Sequence, residues 1–170
     1  MSAPVFAAPE ASVQPPDDGS RPLFIDGLNV AYWCGQPASL RLPITVLAGL
    51  LATGHEARLC FDASARHQLR NDARHYRLLI ERDALAFEVP SGIPADRVLL
   101  RQATARNGIV VSRDRFRDHR RRHRRLIDDP ARLIAGHVHD DRLLLPALAL
   151  DLVLPPTTAE AWALLPATDR

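Results

Sequence analysis

The chain has 170 residues, 46% of them hydrophobic and 25% charged, enough for one well-packed core and short for two. Its two cysteines, Cys34 and Cys60, exclude a disulfide framework and a structural zinc site, and no run of about 18 apolar residues is present to span a membrane. The net charge of +2 hides an asymmetry: eight Arg and two Asp between Arg113 and Arg125 give that segment a local +6.

Residues 1–21 are rich in Pro, Ala and Ser and lack apolar periodicity, which predicts a flexible leader. No basic start precedes an apolar segment there, so it does not read as a signal peptide, and a cytoplasmic location is expected. The apolar run Leu23-Phe24-Ile25 then reads as a buried strand ending in Asp26-Gly27-Leu28-Asn29. Ile44, Leu47, Leu50 and Leu51 fall at helical spacing between Pro43 and Thr53, with Gly54 as a stop. Arg58–Phe61 reads as a second strand. Asp62 after it either lines the same sheet edge or caps a turn.

A second helix is predicted over Asn71–Ala84, with Tyr76, Leu79 and Ile80 on one face, and a third strand over Phe87–Val89 before the turn Pro90-Ser91-Gly92. Pro94–Arg106 is helical in pattern, with Asp96 in its first turn and Gly108 just beyond its end. The fourth strand, Ile109–Ser112, again closes on an acid, Asp114. Leu133–Val138 and Arg142–Leu145 flank Asp140-Asp141 and read as a hairpin or a sharp reversal. Residues 151–170 carry several prolines and are expected at the periphery of a domain over residues 22–150. Strands alternating with helices predict an α/β fold with a mainly parallel central sheet flanked by helices.

In open α/β sheets ligands bind at the carboxyl edge of the strands, where the strand order reverses. With the first and fourth strands adjacent at that point, Asp26 and Asp114 face each other, Asp96 enters from a helix start, and Asp118 lies one helical turn beyond Asp114. Four carboxylates so close raise one another's pKa unless a cation sits among them. An all-oxygen donor set favours Mg2+ or Mn2+ over zinc. Asn29 would hold a metal-bound water or a substrate oxygen. Arg113, Arg115, Arg117, Arg120, Arg121, Arg122, Arg124 and Arg125 would hold a phosphate backbone, with His119 and His123 also in contact with phosphate. Each assignment has an ordinary alternative: Asp26 as a turn acid, Asp96 as a helix-start acid, Asp114 and Asp118 as partners of neighbouring Arg, the Arg run as a solvated loop. His137 and His139 alternate on a strand and read as a surface pair without a third ligand.

These residues resemble a known family. Ile25-Asp26-Gly27-Leu28-Asn29-Val30-Ala31, Ala95-Asp96-Arg97, the run from Gly108 to Asp118, and Arg132-Leu133-Ile134 through Val138-His139-Asp140-Asp141-Arg142 are similar to the NYN branch of the PIN-like nucleases. The likeness is strongest to the Regnase-type ribonuclease domain and its small bacterial relatives, and it runs from Arg21 to Leu150. It implies a PIN-like Rossmannoid fold and endonucleolytic, Mg2+-dependent RNA cleavage. It also implies an acidic metal site of Asp26, Asp96, Asp114 and Asp118, with Asn29 beside it; Asp62 and Ser112 are expected to support that site from behind. Two departures stand out: Ala95 replaces the first of two acids, and Arg113 replaces an Asn. The zinc finger of Regnase proteins has no counterpart among these residues.

The expected activity is hydrolysis of single-stranded or loop RNA that leaves 5′-phosphate and 3′-hydroxyl ends. RNA is the expected partner, a homo-oligomer is left open, and no membrane association is expected. The rival readings are an RNA-binding module without turnover, suggested by Ala95, and a toxin-like nuclease governed by a partner protein. A phosphotransferase using Asp26 as nucleophile needs a second Asp two residues on, where Leu28 stands.

Overall fold

The computed structural model describes residues 20–167, so the leader expected over residues 1–21 lies outside the described residues but for its last two positions. From β1 (Leu23–Asp26) the chain passes through α1 (Gly27–Ala31), α2 (Arg41–Ala52), β2 (Ala57–Phe61), α3 (Ala65–Gln68), α4 (Ala73–Ile80) and β3 (Ala86–Glu88). It continues through α5 (Ala95–Ala105), β4 (Ile109–Val111), α6 (Arg120–Ile127) and β5 (Leu133–Ile134). The five strands form one parallel sheet in the order β3-β2-β1-β4-β5. The order reverses between β1 and β4, as the sequence predicts.

The strands read as near-continuous apolar runs because both faces are covered. Alternate side chains of β1 serve opposite cores. Leu23 and Ile25 join the buried cluster that includes Leu47 and Leu50 of α2, whereas Phe24 joins Leu99, Leu100 and Ala103 of α5 and Leu126 of α6. Asp26 therefore follows Phe24 onto the α5 side. Ile25 pairs with Val111, so the next residue on each strand brings Asp26 beside Ser112.

Beyond the parallel sheet, β6 (His137–His139), β7 (Arg142–Leu145) and β8 (Leu150–Val153) form a small antiparallel sheet, and α7 (Thr158–Trp162) follows. The strand expected over Leu133–Val138 is thus two strands: Leu133–Ile134 completes the parallel sheet and His137–His139 opens the hairpin. They separate at Gly136, where a β-carbon would overlap the Trp33 ring and the Leu144 carbonyl oxygen. The segment after 151, expected at the periphery, instead supplies Leu154, Ala161 and Leu165 to the main core. A reciprocal Thr157–Glu160 capping box starts α7 and offsets the prolines before it.

The Arg run is also more than a loop. Within α6, His123 and Leu126 are buried and the arginines are left outside, a pattern too sparse in apolar residues to announce a helix from sequence. Buried Arg132 donates to the carbonyl oxygens of Ala103 and Gly108 and so satisfies the end of α5. No helix among the described residues is long and apolar enough to cross a membrane.

Candidate active site

Where β1 ends, the Asp26 carboxylate caps α1, accepting from the Asn29 N–H at 3.4 Å. Gly27 is required at this corner because a β-carbon there would overlap the Phe61 ring. On the neighbouring strand, the Ser112 hydroxyl donates to Asp26 Oδ2 at 2.9 Å and accepts from the Asp114 N–H at 3.1 Å. Asp114 Oδ1 accepts from the Phe116 N–H at 2.8 Å, closing a tight turn. Phe116 takes a left-handed conformation (φ 47°) with its ring buried, so local backbone strain is held in place by core packing beside the acids.

Asn29 joins the two strand ends. Its Oδ1 accepts from the Arg113 N–H at 2.9 Å and from Trp33 Nε1 at 3.1 Å, which leaves the amide N–H2 as its remaining group. Of the ways Asn29 could hold a metal-bound water or a substrate oxygen through its amide, donation from the N–H2 is the one left open, because Oδ1 already accepts from two N–H groups.

Asp96, in the first turn of α5, lines the same cleft as Asp26, Asp114, Asp62 and Asn29. Leu28, Tyr32, Pro94 and Ala95 complete its wall, around a cavity of about 410 Å³. Asp62 does both things foreseen for it, lining the cleft while its Oδ1 accepts from the Ser64 N–H at 2.8 Å. Asp118 lies exposed in the short turn before α6 and is not among the lining residues.

The acids are electrostatically strained. Burial pushes Asp26 from 3.8 up to about 6; the Ser112 hydrogen bond opposes this, and the charges of Asp96 and Asp114 add to it. Asp96 is also raised, by burial and then by Asp114, while the nearby His119 pulls it back. Cys60, buried beside Asp26 in the sheet, is held as a neutral thiol, its pKa pushed up to about 12 chiefly by burial. Among the described residues, no three Asp, Glu, His or Cys side chains stand close enough together to grip one metal ion between them.

The arginines divide. Arg113 is corrected from a phosphate clamp to a structural tie: its guanidinium donates to the carbonyl oxygens of Gly136 (2.9 Å) and Trp33 (3.2 Å) and stacks 4.7 Å from the Trp33 ring centroid. Arg120 and Arg124 share Asp128 at 2.7 and 3.2 Å. Arg115, Arg117, Arg121, Arg122 and Arg125 have no carboxylate partner among the described residues. His123 differs from the arginines around it: it is buried, its Nδ1 lies 2.9 Å from Thr104 Oγ1, and burial lowers its pKa. His137 and His139 are exposed on β6, and His139 Nδ1 lies 3.2 Å from Asp140.

Sequence reasoning passed over Tyr32 and the nearness of His119 to Asp96. Tyr32 was accessible, since it stands one helical turn from Asn29 and so shares its face; its hydroxyl donates to Gln68 at 2.6 Å and fixes the ring in the cleft wall. His119 depends on how α6 docks along α5, which no local pattern reports.

Residues 19–151 match the family model described as the Zc3h12a-like ribonuclease NYN domain. No curated protein sequence matches the chain. Among solved structures, the nuclear proteinaceous RNase P 2 (PRORP2) from A. thaliana superposes with a TM-score of 0.60 at 16% identity, over 82% of this chain and 31% of that one. A second structure, of Arabidopsis thaliana nuclear protein-only RNase P 2, gives 0.57 at 16% identity over 75% and 30%. The chain thus spans under a third of the length of these proteins, and the likeness to them is one of fold.

Proposed function

The chain belongs to the Zc3h12a-like ribonuclease NYN domain family, and from that premise we propose that it is a metal-dependent endoribonuclease whose active site is the cleft between β1 and β4. The observation that carries this reading is the gathering of Asp26, Asp96 and Asp114, with Asp62, around one cavity at the reversal of strand order. Their residue types fit a hard divalent cation: every donor is a carboxylate oxygen, and half-buried Asp26 has no cationic partner among the described residues. Mg2+ keeps several of its waters and takes one or two carboxylates directly, which is the number Asp26 and Asp114 would supply. Such an ion, when bound, neutralises phosphate charge and lowers the pKa of water.

The protein's own groups do the rest. Asp26 and Asp114 would hold the ion, with Asp96 facing them across the cleft; exposed Asp118 would act only through water. The Asn29 amide N–H2 is the donor left for a phosphate oxygen. Arg115 and Arg117, exposed and without carboxylate partners among the described residues, line a separate hollow beside α6 and would grip the backbone from there. Water attacking phosphorus with departure of the 3′-oxygen leaves 5′-phosphate and 3′-hydroxyl ends.

Asp114→Asn tests this. The amide keeps the acceptor for the Phe116 N–H, so the turn survives. We expect cleavage of labelled RNA in Mg2+ or Mn2+ to fall by at least about a hundredfold, with affinity in chelator changed by less than about twofold. Wild-type protein that binds RNA but yields no cut product with either ion would favour the binding-module reading, which Ala95 in the cleft wall makes specific to this chain.

A further inference from the structure

α6 separates the arginines into two hollows. Arg115, Arg117 and Arg120 line one on its β5 side, with Leu133 and Pro130, around about 690 Å³. On its α5 side a second hollow of about 430 Å³ is lined by Arg121, Arg122, Arg124 and Arg125 together with Thr104 and Asn107. No carboxylate lines this second hollow, and Arg121, Arg122 and Arg125 have no carboxylate partner among the described residues. Buried Arg132 forms part of its floor and is engaged with the end of α5.

The hollow is also placed and shaped. His123 departs from helical geometry (φ −117°, ψ 31°), kinking α6, and its contact with Thr104 pins the kink to the last turns of α5. Asp96 sits in the first turn of α5, so the eight residues to Thr104 put this hollow about 12 Å from the cleft at 1.5 Å per residue. Like charges crowded on one short helix repel, and an anion relieves them.

We propose that the hollow between α5 and α6 is a distal phosphate subsite. It would hold the backbone of single-stranded RNA about three to four nucleotides from the scissile bond, at roughly 3.4 Å per stacked nucleotide. Arg121, Arg122 and Arg125 contact phosphate oxygens there, and Thr104 and Asn107 offer neutral polar contacts beside them. This rests on the RNA-binding half of the function proposed above, but not on cleavage.

The test is the affinity of the full chain for a ladder of single-stranded oligoribonucleotides of increasing length, read by fluorescence anisotropy in chelator. For wild-type protein, affinity should step up by about tenfold once the strand reaches both cleft and hollow. Arg122→Ala combined with Arg125→Ala should abolish the step and reduce the slope of log affinity against log salt by about 1.4, at 0.7 for each lost phosphate. Arg115→Ala combined with Arg117→Ala, folded by circular dichroism, should weaken every length while preserving the step. A smooth rise with length in wild type, or equal losses at every length from both double variants, would overturn the proposal. A protein that shows the step yet never cuts RNA would remove the hydrolase reading and leave the subsite in place.

Discussion

Asp26→Asn isolates the electrostatic strain at the site. In the folded chain the Asp26 pKa lies at about 6 instead of 3.8, so the native state binds this proton more tightly than the unfolded state. Below pH 3.8 the group is neutral in both states and imposes no penalty. As pH rises from there the unfolded state ionises first and stability falls, until the native carboxyl ionises near 6 and the penalty levels off. At 1.36 kcal/mol for each pH unit, the full penalty is about 3 kcal/mol at pH 7.5. Asparagine preserves the shape but weakens either the Ser112 contact at 2.9 Å or the Asn29 contact at 3.4 Å, a loss of about 1 kcal/mol. The metal-free variant should therefore be more stable than wild type by about 2 kcal/mol at pH 7.5 and less stable by about 1 kcal/mol at pH 3.5, as read by urea denaturation in chelator. Adding Mg2+ at about a hundred times its dissociation constant should stabilise wild type by about 2.7 kcal/mol and the variant by much less. A variant that is less stable than wild type at both pH values would refute the reasoning, because it would mean that the buried carboxylate is already compensated without an ion.

Arg113→Ala should destabilise the protein by about 1–2 kcal/mol, by leaving the Gly136 and Trp33 carbonyl oxygens without their donor and removing the stacking on Trp33; Arg113→Lys should recover less than half of this in urea melts, since an ammonium cannot span both carbonyls. Loss of RNA affinity without loss of stability would instead return Arg113 to the substrate. Gly27→Ala drives a methyl group into the Phe61 ring and should cost about 1–3 kcal/mol; coupling it with Phe61→Leu should give a smaller loss than the two singly added, as measured by a double-mutant cycle.

The fold was legible where apolar runs were long and their ends chemically marked. Leu23–Ile25 and Ile109–Val111 each lead from a buried stretch to an acid; the adjacency supposed for the two strands is the one the sheet has, and Asp96 lies in the first turn of its helix as its sequence pattern indicates. Legibility failed where tertiary contact overrode local pattern. Nothing in Leu133–Val138 announces that Gly136 must lie against Trp33, and the sparse apolar spacing of Arg120–Ile127 hides a helix whose stability comes from docking along α5. The chemical types in the cleft were readable in advance, but the partners were not. Asn29 turned inward to two N–H donors, Arg113 to carbonyl oxygens, and His123 to Thr104, because each binds a residue distant in sequence or across a helix interface.

The Ser112 hydroxyl, placed between the side chain of one acid and the backbone of the other, acts as a spacer in a frame built from neutral groups. Hydrogen bonds that need no cation thus fix the offset between the two acids. Discrimination between magnesium and calcium there would rest on how well each coordination geometry serves the reaction.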